Sequence, residues 1–398
     1  MKTFRVLSCV LLSVTLLAVV IATGCAKKQP STIKVGALID LTGPIGPGGI
    51  DMEKGMRLAA EQAGDIGGKK LELIVEDTAT DSSVALEKVK LLVETDHVAA
   101  VVGPIWSGGV ESIAPYIARV HVPQLDAAGG SNTDIDDWKF APVGFCSQIA
   151  YGAGAFAYDV LHYKTAVTLG GDFVGGHEFI EGFIAGFESR GGKVIQQTWF
   201  PVGTNNMPSF LTQLKKADVL TFWGVPSDVF AFFHAYRELN IKMPVFQPED
   251  GGVTGSPAME AKLGKAAAGT AFATMYLYNA DYPGNKEFVQ AYQAKYNELP
   301  GVMAGTGYAD MQVVIAALKA TNGDVTPDVL YKAIKALSVD TIRGHLSFPA
   351  DQGGFGLIAT CPSTVGKVGP NGELTQLQPT YNTEEYFKDG HYVSGLIK

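Results

Sequence analysis

The chain has 398 residues, of which 46% are hydrophobic and 18% charged, so it can bury a large core and is long enough for two domains. Acidic residues outnumber basic ones by 40 to 31, which gives a formal net charge of −9. This balance argues against nucleic acid as a partner and against a polybasic surface that binds membranes.

Residues 1–24 have the pattern of a secretory targeting segment, with two basic residues before a largely apolar run from Val6 to Ile21. The run falls just short of the roughly 20 residues that span a membrane, and a single membrane anchor is the alternative interpretation. The segment ends in Ala22-Thr23-Gly24-Cys25, which resembles a bacterial lipobox. The resemblance implies an exported lipoprotein in which Cys25 is acylated and residues 25–32 form a short tether.

Two cysteines remain in the chain beyond Cys25, namely Cys146 and Cys361. An exported protein permits a disulfide bond between them. Two free buried thiols are the alternative.

Strand-like and helix-like patterns alternate along the rest of the chain. Short apolar runs closed by glycine or proline predict buried strands, and apolar residues at helical spacing predict helices between them. The predicted strands cover 33–41, 70–76, 99–102, 122–125, 165–169, 193–200, 219–223, 244–246 and 269–275. Because the pattern restarts after Phe145, we expect an α/β fold with two doubly wound, mainly parallel sheets. Later helices at 285–296, 308–321 and 327–337 suit a chain that returns to cover the first sheet.

Polar, glycine-bearing loops follow several of these strands, at 105–109, 129–132, 170–176, 224–228 and 247–252. Two successive α/β halves direct such loops towards a shared crevice. Ser107 stands at a predicted helix N-cap, where a hydroxyl, free backbone N–H groups and the helix dipole favour an anion. An ordinary capped helix is the alternative. Glu249 and Asp250 in the last loop offer carboxylates for a cation, so a zwitterion suits the crevice.

Enzyme signatures are incomplete in this sequence. The metalloprotease pattern fails because Glu181 occupies the position of its second histidine, and no pair of cysteines has CxxC spacing. Ser107 is not in a nucleophile elbow, since Ile105 stands where that motif requires glycine. Residues 152–157 match GxGxxA, a variant of the dinucleotide fingerprint, but we interpret these glycines as close helix packing. We therefore predict no catalytic residue, cofactor or metal.

Four segments resemble the periplasmic leucine/isoleucine/valine-binding proteins of ABC importers: IKVGALIDLTGP at 33–44, VGPIWSGG at 102–109, PQLDAAGGSN at 123–132 and DTIRGHLSF at 340–348. The resemblance implies a type I periplasmic-binding fold, with two lobes that close on a ligand like a hinge. It implies an N-terminal lobe of residues 33–144 plus 279–342 and a C-terminal lobe of 145–278 plus 343–398. Three crossovers would join them near 143–146, 275–279 and 342–347.

The resemblance also assigns roles to side chains in the crevice. Ser107 and Ser131, the latter in a turn with Gly130, match residues that bind the carboxylate of the ligand. Glu249 matches the acid that receives the ammonium group, as a charge-assisted hydrogen bond would allow. A solvated loop carboxylate is the alternative for Glu249, and the neighbouring Asp250 could take its role.

This sequence departs from the family pattern in the pocket walls. A disulfide of the first lobe falls on Thr80 and Trp106, so Trp106 either fills the vacated space or stacks on the ligand. Pocket tyrosines of the second lobe fall near Gly175 and Val225. Phe173, Trp223 and Tyr276 are candidate substitutes, and a larger or aromatic ligand therefore stays open.

We expect a lipid-anchored receptor, in the periplasm or at the cell surface, for a branched-chain or other small amino acid or a related carboxylate or amide. Its partners would be that small molecule, the permease subunits of an ABC importer and the membrane that holds its anchor, with no nucleic acid. The alternatives are a sensor of the same fold for an aromatic acid or amide and, less favoured, a dinucleotide-dependent enzyme.

Overall fold

A computed structural model describes residues 32–127, 138–348, 357–359 and 362–382. The helices are α1 (Gly46–Gln62), α2 (Ser82–Lys90, continued by a π turn at Leu91–Thr95), α3 (Ser107–Val120), α4 (Cys146–Asp159), α5 (Val174–Ser189), α6 (Met207–Leu211), α7 (Pro226–Glu238), α8 (Pro257–Leu263, followed by a 3-10 turn at Gly264–Ala267), α9 (Asn285–Tyr296), α10 (Val302–Ala320) and α11 (Pro327–Lys335). Within these residues, none of the helices has the length and apolar character needed to span a bilayer.

The strands are β1 (Thr32–Ile39), β2 (Asp65–Ile66), β3 (Lys69–Asp77), β4 (Val101–Val102), β5 (Gln124–Leu125), β6 (Lys139–Ala141), β7 (Thr165–Gly171), β8 (Lys193–Phe200), β9 (Val219–Trp223), β10 (Val245–Gln247), β11 (Ala271–Thr274), β12 (Ser338–Thr341), β13 (Gly344–Ser347), β14 (Leu357–Ile358), β15 (Pro362–Val368) and β16 (Leu374–Asn382).

The first sheet has the strand order β14-β6-β5-β4-β1-β3-β2. Strands β1, β4, β5, β6 and β14 pair in parallel, while β2 and β3 form an antiparallel hairpin. The apolar residues of β1 and β4 are buried, as a parallel sheet covered on both faces requires. Helix α10 packs on α1 so closely that a Cβ at Gly55 would lie 1.9 Å from the carbonyl oxygen of Ala304. The late helices therefore cover the first sheet, as predicted.

The second sheet has the order β16-β15-β11-β10-β9-β7-β8. Strands β7 to β11 pair in parallel, and β15 and β16 add antiparallel strands at one edge. Residues 219–223, Val-Leu-Thr-Phe-Trp, are all buried, which fits a central strand covered on both faces. The prediction of two doubly wound, mainly parallel sheets is confirmed.

The described residues show three places at which the chain passes between the sheets. The first passage links β6 to α4 and the second links β11 to α9, close to the predicted crossovers. The predicted third crossover, 342–347, instead lies in the hairpin of β12 and β13, whose Leu346 packs into the core of the first sheet. Strand β14 pairs with β6 in that same sheet and the next strand, β15, pairs with β11 of the second sheet, so the chain leaves the first sheet only after β14.

The glycines of the 152–157 segment lie inside helix α4. A dinucleotide fingerprint needs its glycines at the turn between a strand and a helix, where the backbone approaches the pyrophosphate. Here Gly154 faces α5 instead, and a Cβ at this position would lie 2.1 Å from the carbonyl oxygen of Phe183. The geometry supports close helix packing as the reason for this glycine.

Candidate ligand-binding site

Asp40 connects three segments at one end of the first sheet through hydrogen bonds. It follows β1 and is fully buried, and its Oδ2 accepts hydrogen bonds from the backbone N–H groups of Ile105 (2.9 Å) and Trp106 (3.1 Å). The hydroxyl of Thr78 donates to Oδ1 of the same carboxylate. The turn that follows β4 is therefore tied to the end of β1 by a charged acceptor.

Helix α3 begins one residue earlier than predicted, so that Trp106 and not Ser107 is the N-cap residue. The backbone N–H groups of Gly109 and Val110 donate to the Trp106 carbonyl. In contrast, the N–H groups of Ser107 and Gly108 and the Ser107 hydroxyl have no hydrogen-bond partner among the described residues, and both residues are half-buried. Two amides, a hydroxyl and a helix N-terminus are thus available to an anion.

Trp106 is half-buried and lies over the first turn of its own helix. A Cβ at Gly108 would lie 2.7 Å from Cζ2 of the Trp106 indole, so the ring needs a glycine at this position. Whether the ring also stacks on a ligand stays a prediction.

Other predicted residues lie outside the described part of the chain. These are Gly130 and Ser131 in the second predicted anion-binding turn, Cys25, and Cys361. Their roles, including the disulfide between Cys146 and Cys361, therefore stay predictions.

Cys146 lies near acidic residues that belong to both sheets. It is buried at the start of α4. Burial raises the pKa of the Cys146 thiol well above its ordinary value, and the negative charges of Glu178, Glu249 and Asp126 raise this pKa further. Asp126 follows β5 of the first sheet and Glu249 follows β10 of the second, so the carboxyl ends of both sheets face the same crevice.

Glu249 is buried, with 3% of its surface exposed, so the alternative of a solvated loop carboxylate is wrong. Its Oε2 accepts hydrogen bonds from Trp223 Nε1 and from the backbone N–H of Gly251, each at 2.9 Å. Its Oε1 is buried and has no hydrogen-bond donor among the described residues. One oxygen is therefore fixed by the protein, and the other is left for a donor.

Asp250 has a structural role in the same loop. Its two oxygens accept hydrogen bonds from the N–H groups of Gly252 and Gly255, each at 2.9 Å, and from the Thr274 hydroxyl at 3.2 Å. Burial, and after it the charge of Glu249, raises the pKa of Asp250 well above its ordinary value. Asp250 thus retains its proton to a higher pH than a free aspartate.

An aromatic cluster lies beside Glu249. The Trp223 ring stacks on Phe179, with centroids 4.6 Å apart, and contacts Phe173 at 5.6 Å. Phe173 is half-buried at the N-cap of α5, and Val225 is half-buried at the N-cap of α7. These side chains form an apolar wall beside Glu249, the candidate residue for binding an ammonium group.

Tyr276, the remaining candidate substitute, is buried within the second passage. A Cβ at Gly305 of α10 would lie 2.1 Å from Cγ of its ring, which also meets Phe288 edge-on. Burial raises the pKa of Tyr276 well above its ordinary value, with a further contribution from Asp51. These contacts place Tyr276 in the core between α1, α9 and α10.

Two residues of the site were missed by the sequence analysis. Phe179 lies on α5 at a position that reads as ordinary helix core. Asp40 carries no local sign of its role, which depends on contacts with residues 65 and 66 positions later. Within the described residues, no group of three or more histidine, cysteine, aspartate or glutamate side chains is placed to hold a metal ion.

Two mainly parallel sheets, three chain passages between them and a crevice at their carboxyl ends define a two-lobe type I periplasmic-binding fold. A family model described as "Periplasmic binding protein" matches residues 32–365, and the chain belongs to this family. The family comprises the solute-binding proteins of ABC transporters, so the chain is an exported protein that binds a small molecule and works with a permease.

Individual proteins agree with this assignment. The chain is 26% identical to the Leu/Ile/Val-binding protein homolog 7 of Brucella suis, over 92% of this chain and 96% of that protein. Among solved structures, an ABC transporter substrate-binding protein from Sphaerobacter thermophilus has a TM-score of 0.80 and 25% identity, over 88% of this chain and 98% of that one. A solute-binding protein from Rhodopseudomonas palustris BisB5, solved in complex with 3,4-dihydroxybenzoic acid, has a TM-score of 0.78 and 24% identity, over 89% and 98% of the two chains.

Proposed function

We propose that the transported solute is an α-amino acid with an apolar side chain, bound between the two lobes as they close. Its ammonium group donates to Glu249 Oε1, and its carboxylate accepts from Ser107 and Gly108. Glu249 carries the proposal, because one oxygen of this buried carboxylate lacks a donor from the described chain.

An ammonium group satisfies that oxygen better than a water molecule does, because its positive charge strengthens the hydrogen bond. Leaving a buried acceptor unsatisfied costs about 1–3 kcal/mol, and more for a charged group. Trp223 and Gly251 fix the other oxygen, so the carboxylate is oriented before the ligand arrives. Preorganisation of this kind reduces the entropy cost of binding.

The aromatic cluster supports an apolar side chain. The ammonium and the side chain of an α-amino acid leave the same carbon atom, so a side chain bound next to Glu249 meets the wall formed by Phe173 and Trp223. The name of the Brucella relative, a Leu/Ile/Val-binding protein homologue, agrees with this class of ligand.

A hydroxylated aromatic acid is a second candidate, favoured by the stacked rings of Trp223 and Phe179. Its ring would lie along this wall, its hydroxyl would donate to Glu249, and its carboxylate would bind at Ser107. The Rhodopseudomonas structure contains a ligand of this type.

A thermal-shift screen tests both candidates. The protein without residues 1–24 is unfolded and refolded to remove carried-over ligand, then mixed with L-leucine, L-isoleucine, L-valine, L-phenylalanine, benzoate, 3,4-dihydroxybenzoate or NAD. A ligand at 100 times its Kd adds about 2.7 kcal/mol to the free energy of unfolding. Stabilisation by an amino acid supports the proposal, and stabilisation by aromatic acids alone transfers it to the second candidate. Stabilisation by NAD alone, or by no compound, contradicts both.

We also propose that Cys25 carries a lipid anchor. The resemblance of residues 22–25 to a lipobox supports this. In membrane fractions of cells that express the full chain, the protein should be retained, and Cys25→Ser should release it or leave residues 1–24 uncleaved. Mass spectrometry of the N-terminal peptide identifies the acyl chains, and an unmodified Cys25 would contradict the anchor.

A further inference from the structure

Asp40 joins the ends of three strands of the first sheet. It directly follows β1, it binds the hydroxyl of Thr78 just after β3, and it accepts both N–H groups of the turn after β4. Because Asp40 is fully buried, its carboxylate contacts no solvent and acts on the protein alone.

These contacts determine which amides face the crevice. Asp40 occupies the N–H groups of Ile105 and Trp106 on the inner side of the turn. Trp106 then has an extended backbone, with φ −75° and ψ 124°, and the helix begins immediately after it. Ser107 and Gly108 supply the first amides left without a partner among the described residues.

We propose that Asp40 is a positioning residue for recognition of the ligand's carboxylate, because it holds the turn that presents Ser107 and Gly108. This inference rests on the proposed function, in which those two residues bind the carboxylate. Asp40 itself does not contact the ligand.

The charge of Asp40 is not what the site requires. A negative charge behind an anion site repels the ligand, and here three donors to Asp40 offset that repulsion. The site requires an acceptor for two N–H groups. Asparagine can supply one oxygen to both of them while its amide nitrogen donates to the Thr78 hydroxyl, whereas alanine supplies none.

The test compares Asp40→Ala with Asp40→Asn. Asp218→Ala is the matched control, because Asp218 also accepts two successive backbone N–H groups, those of Lys164 and Thr165, but at the amino end of β7. Hydrogen–deuterium exchange is followed in peptides that cover 103–110 and 163–168. Calorimetry gives the Kd for L-leucine and leucinamide, or for benzoate and benzamide if only aromatic acids stabilise the protein.

Asp40→Ala should speed exchange in 103–110 and weaken binding of the carboxylate probe by about tenfold to a hundredfold, the loss expected for hydrogen bonds to a charged group. It should affect the carboxamide probe less, and Asp40→Asn should restore most of the affinity. The control should change exchange only in 163–168. A purely structural role would weaken both probes equally.

Two results overturn the proposal: unchanged exchange in 103–110 with Asp40→Ala, or faster exchange with unchanged affinity for the carboxylate. If Asp40→Ala does not fold, Asp40→Asn decides the matter: it should keep the exchange in 103–110 and most of the carboxylate affinity, and a tenfold loss of carboxylate affinity without faster exchange in 103–110 contradicts a positioning role. If neither L-leucine nor benzoate binds the unmodified protein, the proposed function fails, while exchange in 103–110 still shows whether Asp40 holds the turn.

Discussion

Glu249→Gln separates the ligand's ammonium group from the rest of the site. Glutamine has nearly the same shape, and its amide oxygen can accept the hydrogen bonds that Trp223 Nε1 and Gly251 N now donate to Oε2 at 2.9 Å. The amide nitrogen then takes the place of Oε1. An N–H group would face the ligand's ammonium, so a charge-assisted bond is replaced by a contact between two donors.

The expected loss is large because the carboxylate is buried. Breaking one partner of a buried, hydrogen-bonded charge pair costs about 2–5 kcal/mol, which corresponds to at least about thirtyfold in Kd. The free energy of unfolding of the unliganded protein should stay equal or rise, since a buried amide is less costly than a buried carboxylate. Glu249→Gln should thus lower the affinity for the amino acid without lowering the free energy of unfolding.

Isothermal titration calorimetry with L-leucine, and with any other amino acid that stabilises the protein, gives the affinity, and urea unfolding gives the stability. Glu260→Gln is the matched control, because Glu260 is a buried glutamate of the same lobe whose Oε1 also has no partner among the described residues. This control should leave affinity unchanged. The reasoning is refuted if Glu249→Gln binds the amino acid within threefold of the unmodified protein, or if Glu260→Gln weakens binding as much.

Three further predictions follow from contacts around the crevice. Trp223→Phe keeps the aromatic wall but removes the Nε1–H donor, so affinity for L-leucine in calorimetry should fall by about tenfold, and an unchanged Kd would show that Glu249 is held without it. Gly154→Ala should lower the free energy of unfolding in urea by about 1–3 kcal/mol, because the added Cβ would lie 2.1 Å from a carbonyl oxygen. Gly48→Ala should instead raise it by about 0.5 kcal/mol or more, because the nearest atom to its added Cβ, in Met303, is 3.5 Å away. Equal stability of the two variants would contradict the packing argument. Because the pKa of Asp250 is raised in the folded state, the folded protein binds more protons than the unfolded chain above about pH 4. The contribution of Asp250 to the free energy of unfolding should therefore decrease as pH rises through the folded pKa. Asp250→Asn should flatten this pH dependence in urea unfolding between pH 4 and 8.

The sequence was sufficient to predict the strand and helix pattern because each element carries its own periodicity. Residues 219–223 and 101–102 are apolar runs closed by glycine, and both are buried strands. Strand β14 was not predicted, because two residues give no periodicity and its pairing with β6 depends on a neighbour more than 200 positions earlier. The third passage was therefore placed too early in the chain.

The candidate site, like the fold, could be predicted only in part from the sequence. The loops of Ser107 and Glu249 could be located from glycine positions and family resemblance, but their geometry could not. The N-cap residue Trp106 is held by Asp40, 66 positions earlier, which accepts its N–H. The buried carboxylate of Glu249 is held by Trp223, on the neighbouring strand and 26 positions earlier. Both outcomes depend on long-range hydrogen bonds, which leave no local pattern in the sequence.

The pair of Glu249 and Asp250 explains how two adjacent carboxylates can be buried at one strand end. Two neighbouring buried charges would repel each other strongly, and the raised pKa of Asp250 relieves this repulsion because Asp250 keeps its proton. A ligand's ammonium group would supply positive charge to Glu249 and so lower the pKa of Asp250. Binding of an amino acid should therefore release the proton of Asp250, and affinity should increase with pH until the ligand's own amine loses its proton. A neutral hydroxyl donor supplies no such charge. Calorimetry of L-leucine and of 3,4-dihydroxybenzoate in buffers of different ionisation enthalpy therefore distinguishes the two candidate ligands, because only the amino acid should give a binding enthalpy that depends on the buffer.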